Sequence, residues 1–160
     1  MRSILFTFFL LLSVTAFSQT VDIVKFDKVH DLLNSKKSEI TVVNFWATWC
    51  APCIKEMPYF EALNKEFEGE VNVYLISLDF ADEIEKVNKF VAKKGLKSNL
   101  LLLDDIDYNS WIDRVEPSWS GAIPATLILN KTTNERVFFG GEITKEELYE
   151  SVNKFMKKSE

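Results

Sequence analysis

An α/β chain, with one mixed β-sheet and helices on both of its faces, is what the sequence predicts on three observations. β-branched runs alternate with stretches of helical spacing through most of the chain, the pattern of strands joined by helices. Two further strand-like runs, separated by a short polar segment, read as a hairpin, and a last amphipathic stretch closes the chain as a helix. The third observation is size. With 160 residues, 47% of them hydrophobic, and no Gly/Ser-rich or Pro-rich linker or internal repeat, the chain suits one domain with a real core.

Residues 1–18 stand apart from that domain. Met1-Arg2 is a short positive start, and the run over 4–14 is apolar except for Thr7 and Ser13. Ala16 and Ser18 then put small residues at the −3 and −1 positions of a cut before Gln19, the layout of a secretory signal peptide. The apolar run is shorter than the ~20 residues a bilayer requires, so a retained anchor is the second reading. No cysteine lies at the cut, which excludes lipid attachment to a cysteine there. The folded domain is expected over 19–160.

Within it, Phe26, Val29, His30, Leu32 and Leu33 recur at near-helical spacing, so a short helix should end around Asn34-Ser35, before a polar turn over 36–39. The run 40–46 is β-branched and aromatic with no charge; it reads as a strand buried on both faces, hence central. Ile54, Met57, Phe60, Leu63 and Phe67 give helical spacing over 52–67, and Pro58 is expected to kink that helix by removing a backbone donor. A second strand is expected over 71–78, a helix over 82–94 closed by Gly95, a short strand over 100–103, and a helical connection over 107–115. The hairpin takes 125–129 and 135–139, turning at 130–134. Thr144 and Glu147 have capping-box spacing, and Leu148, Val152 and Phe155 form the apolar face of the last helix.

The chain has two cysteines, Cys50 and Cys53. In an oxidising compartment such a pair usually forms a structural bridge. A bridge across two intervening residues, however, closes so small a loop that it removes little entropy from the unfolded chain. Chemistry is the better reading. Trp49-Cys50-Ala51-Pro52-Cys53 falls where a buried strand turns into a helix. Unpaired N–H groups and the macrodipole at a helix N-terminus favour the thiolate of Cys50, the attacking species in disulfide exchange. Cys53, one turn further in, is placed to resolve a mixed disulfide. Pro52 suits a helix start, and Trp49 is expected to cover the sulfurs on one side.

The run from Phe45 to Cys53, with Glu56 and Pro58 downstream, resembles the thioredoxin superfamily, and within it the exported TlpA/ResA-like thiol–disulfide oxidoreductases. The resemblance covers roughly residues 24–158. It implies a thioredoxin-like fold with a TlpA-type βα element inserted between the 71–78 strand and a proline loop. Gly121-Ala122-Ile123-Pro124-Ala125-Thr126 matches that loop. By resemblance Pro124 is a cis-proline beside the cysteines and Ile123 offers its backbone to a bound substrate chain.

Two departures from thioredoxin itself bear on proton transfer. Asn44 stands where thioredoxin has a buried aspartate, and an amide cannot titrate. Glu56 instead matches the glutamate of the TlpA/ResA-like branch. At i+3 it shares a helix face with Cys53, and a partly buried carboxyl there would have a raised pKa and exchange a proton with Cys53. The bland alternative is a solvated surface glutamate. Between the cysteines, Ala51-Pro52 offers no histidine or lysine to hold a thiolate, which favours a reductant over a disulfide donor.

Other classes fare worse. Lys+Arg of 19 against Asp+Glu of 24 gives a formal charge of −5, a poor match for nucleic acid. A zinc site needs about four ligands, and only Cys50, Cys53 and the remote His30 are at hand. Covalent haem needs histidine after Cys53, where Ile54 stands. His30 reads as packed or solvated rather than catalytic. Trp111 and Trp119 either line a substrate groove near Trp49 or pack under the proline loop; the sequence leaves both open. The expected activity is dithiol–disulfide exchange without metal or organic cofactor. By resemblance, the clients are exported thiol proteins such as immature cytochromes c, and a DsbD-type membrane reductase supplies electrons in a bacterial periplasm or envelope. The alternatives are a client-binding module without turnover, a disulfide-donating oxidant and, third, a peroxide-reducing enzyme.

Overall fold

The computed structural model describes residues 20–35 and 40–158. In chain order it forms β1 (Asp22–Val24), α1 (Phe26–Asn34), β2 (Ile40–Trp46), α2 (Ala51–Glu66), β3 (Val71–Ser77), α3 (Ile84–Lys94), β4 (Asn99–Leu103), α4 (Tyr108–Val115), β5 (Ala125–Asn130), β6 (Glu135–Phe139) and α5 (Lys145–Met156). The six strands make one mixed sheet in the order β1-β4-β3-β2-β5-β6. β2 runs parallel to β3 and antiparallel to β5, and every one of its residues is buried. An uncharged, β-branched strand therefore occupies the centre, as its composition requires.

Strand alternation then divides the core. Ile40, Val42 and Trp46 of β2 join Met57, Phe60 and Leu63 of α2 and Leu148, Val152 and Phe155 of α5 on one face. Val43 and Phe45 point the other way, to Phe26 and Val29 of α1 and Trp111 and Val115 of α4. Burying a side chain such as Phe45 completely stabilises the fold by about 1.5–3 kcal/mol. Asn44 has the parity of Val42 and Trp46, so the only amide of β2 faces α2.

Several local expectations hold in the structure. Gly95 ends α3 in the left-handed region at φ +66°, and Thr144 and Glu147 form a reciprocal capping box. The βα element expected before the proline loop is β4 with α4, and β4 enters the sheet between β1 and β3. Pro58 lies inside α2, which continues as one helix to Glu66, although the ring gives the Ile54 carbonyl no donor. The sequence reading missed β1. This three-residue edge strand pairs in parallel with β4, Asp22 opposite Leu101, and is too short for periodicity to signal it. The signal peptide expected over 1–18 and the polar turn expected over 36–39 lie outside the described residues.

Candidate active site

β2, β3 and α2 meet at one end of the sheet, where the carboxyl ends of parallel strands leave room for a site. Trp46 ends β2, and the turn 47–50 closes with Cys50 N–H donating to the Ala47 carbonyl at 3.1 Å. That turn makes Cys50 the N-cap of α2, in an extended conformation at φ −89° and ψ 97°. Pro52 occupies the first helical turn, where its missing donor costs nothing. Cys50 and Cys53 are joined by a disulfide with an S–S distance of 2.00 Å. The Cys53 backbone N–H donates to Cys50 Sγ at 3.3 Å, the contact through which a helix N-terminus holds a thiolate. Cys50 keeps 5% exposure and Cys53 none, so a substrate meets Cys50 first. Trp49, next to them, is 64% exposed and presents its ring to solvent.

Glu56, one helical turn after Cys53, is not a surface glutamate. It is 2% exposed, its Oε1 accepts from Asn44 Nδ2 at 2.8 Å and its Oε2 from the Ile143 N–H at 3.0 Å. Burial pushes its carboxyl up to about 7, against the opposing pull of the Ile143 N–H and the Asn44 amide. A group that gains and loses a proton near neutrality therefore lies in the turn of α2 that follows Cys53. Beside it a cleft of about 160 Å³, lined by Lys55, Tyr59, Glu142 and Ile143 among others, gives Glu56 a way to solvent. The sequence reading treated Asn44 only as a group that cannot titrate. Its second N–H donates to Thr126 Oγ1 at 3.0 Å, so one amide ties the Glu56 carboxyl to the strand after the proline loop. The parity of Asn44 along β2 was the available signal.

The Ile123–Pro124 bond is cis. Phe45 pairs with Ala125, so extending the register by one residue sets Pro124 opposite Trp46, on the approach to the cysteine turn. Two features shape the loop before it. Gly121 has φ +84°, and a Cβ there would come within 2.9 Å of Ile112 Cδ1. Trp119 Nε1 donates to the Ala122 carbonyl at 2.8 Å. Trp119 and Trp111 are both buried, Trp111 stacked on Phe45 and Trp119 tilted against it, so they pack under the proline loop and line no substrate groove. His30 is half-buried with its ring near Phe26, away from the cysteines' face of the sheet. Asp79, which the sequence reading passed over, is buried at the end of β3 and bonded to Thr48 of the cysteine turn. Among the described residues no group of three or more His, Cys, Asp or Glu side chains could hold a metal ion.

The chain matches the model of the AhpC/TSA family over residues 16–134. It is 36% identical over 117 residues to the thiol-disulfide oxidoreductase ResA of Bacillus thuringiensis, covering 72% of this chain and 63% of that one. It is 29% identical over 125 residues to the thioredoxin-like protein YneN of Bacillus subtilis, covering 76% and 68%. The chain thus spans about two thirds of the length of these curated relatives. Among solved structures, a thioredoxin-related protein from Neisseria meningitidis superposes with a TM-score of 0.67 at 25% identity, covering 78% of this chain and 90% of that one. With a central mixed sheet of thioredoxin type and a family match across β1 to the hairpin turn, this chain belongs to the AhpC/TSA family, on the ResA-like side of the thioredoxin superfamily.

Proposed function

We propose that this protein is a thiol–disulfide oxidoreductase that reduces disulfides of exported proteins through Cys50 and Cys53. The observation that carries the reading is the Cys50–Cys53 disulfide at the N-terminus of α2, with a buried carboxyl that titrates near neutrality in the following turn. In the reduced protein the Cys50 thiolate attacks a client disulfide; one Cys50–client S–S bond forms and the client's other sulfur leaves as a thiolate. Cys53 then loses its proton to Glu56 and attacks Cys50 Sγ. The client is released with two electrons, and the protein ends in the oxidised form described above. Ile123, ahead of cis-Pro124, offers its backbone to the client chain, and Trp49 provides an apolar surface next to the bond being exchanged.

Reduction rather than oxidation is favoured because no histidine or lysine between the cysteines stabilises the reduced form, the basis of a strong oxidant. Recycling then needs an external dithiol. A membrane thiol reductase and a bacterial envelope location fit a ResA-like chain whose residues 1–18 have the layout of a signal peptide, leaving 19–160 as the working domain.

Replacing Cys53→Ser tests the mechanism, because a mixed disulfide then cannot be resolved. Clients should accumulate as covalent adducts on Cys50 that dithiothreitol releases. If no adduct forms while the wild type still holds clients non-covalently, the protein is a binding module. Direction is read from the reduction potential against glutathione and dithiothreitol buffers. About −270 mV or lower is expected, and a value near −120 mV would make the protein a disulfide donor.

A further inference from the structure

We propose that Asp79 is a positioning residue for Cys50: it holds the turn that aims the nucleophile at the N-terminus of α2. This rests on the reading of Cys50 as the attacking thiolate. Asp79 is 2% exposed and follows β3 by two residues. Its Oδ2 accepts from the Thr48 backbone N–H at 2.8 Å and from Ser77 Oγ at 2.7 Å, and its Oδ1 accepts from Thr48 Oγ1 at 2.6 Å. Ser77 Oγ accepts in turn from the Asp79 N–H at 3.0 Å. Among the described residues no cation pairs with this carboxylate. A buried carboxylate held by neutral donors alone is costly to keep. The sheet does not need it, since the backbone ladder between β2 and β3 runs from Ile40 opposite Val71 to Trp46 opposite Ser77.

What Asp79 holds is the first corner of the cysteine turn. Cys50 N–H closes that turn onto the Ala47 carbonyl, which leaves Thr48 and Trp49 as its two central residues. Trp49 is exposed and has no core packing to fix it. Thr48 is therefore the point at which the turn is fastened to the sheet, by two hydrogen bonds to one carboxylate. Rotation at this corner would swing Cys50 Sγ away from the Cys53 N–H, now 3.3 Å from it. The thiolate would lose a donor that stabilises it. Asp79 does this without touching a sulfur or a substrate.

The test compares two neutral replacements in the reduced protein, so that loss of the negative charge cancels. Asp79→Asn keeps an acceptor for the Thr48 N–H and a donor for the Thr48 or Ser77 hydroxyl; Asp79→Ala keeps neither. The rate of Cys50 alkylation by iodoacetamide is followed against pH, with the modified cysteine identified by peptide mass. The Ala variant should react at least about threefold more slowly than the Asn variant at pH 7, its midpoint higher by about half a pH unit. Equal profiles would overturn the positioning role, because charge would then be all that Asp79 contributes. A wild type whose Cys50 reacts no faster than Cys53, with no midpoint below about 8.5, would overturn instead the reading of Cys50 as the nucleophile. If the Ala variant does not fold, Thr48→Val against Thr48→Ser decides: slower reaction in the Val variant supports the positioning role, and equal rates overturn it.

Discussion

Replacing Glu56 by Gln removes the one buried group, among the described residues, whose proton affinity the fold raises into the neutral range. The native protein holds the Glu56 proton up to about pH 7, whereas the unfolded chain releases it near the ordinary value of 4.5. Between those limits the native state binds more protons than the unfolded state, so stability falls as pH rises. The Glu56 contribution is complete below about pH 4.5 and lost through about pH 7. Each pH unit crossed costs up to about 1.4 kcal/mol, or about 3 kcal/mol over the window. The amide variant has no such slope. It carries a constant offset instead. Asn44 can rotate to present its partnerless Oδ1 to the new NH2 group, but that leaves its own NH2 without an acceptor, on the order of 1–3 kcal/mol. The measurement is therefore a comparison of slopes: urea unfolding of both oxidised proteins at each pH from 4 to 8, with no free thiol to titrate. The stability of Glu56→Gln relative to wild type should improve by about 3 kcal/mol across the range. Parallel curves would refute the reasoning and return Glu56 to the status of an ordinary carboxylate.

Three further substitutions make up two more tests. Asn44→Asp places a second carboxyl at the position of a group now 2.8 Å from Glu56 Oε1, so the two must share a proton. Its stability should fall up to about 1.4 kcal/mol per pH unit more steeply than wild type just above pH 7.5, and an unchanged slope there would count against a shared proton. Gly121→Ala and Gly95→Ala both force alanine into left-handed backbone, but only the former meets a neighbour, Ile112 Cδ1 at 2.9 Å. Denaturant unfolding should show Gly95→Ala costing about 1 kcal/mol and Gly121→Ala about 2–4 kcal/mol; equal losses would mean that the proline loop yields freely at Ile112.

The features legible in the sequence are those set within a few residues. The cap at Cys50, proline in the first turn of α2, the Thr144–Glu147 box and the glycine end of α3 each depend on contacts between residues up to four apart. Spacing alone was enough to place them. The central position of β2 followed from its lack of charge, and the helix faces from their periodicity. By contrast β1 exists only because β4 lies beside it, and its three residues hold no pattern of their own.

The chemistry of the site was decided at longer range. The sequence placed two cysteines one helical turn apart and a glutamate one turn beyond them. It could not say that Glu56 would be buried with its carboxyl bonded to the Ile143 N–H, 87 positions away, and to the Asn44 amide on a neighbouring strand. Nor could it say that the turn carrying Cys50 would be fastened by a carboxylate 31 positions from Thr48. Spacing and capping are properties of the local chain, so a sequence displays them directly. The proton affinity of a carboxyl depends on which distant groups exclude water from it and which donors face it, and those are brought together only when strands and helices pack.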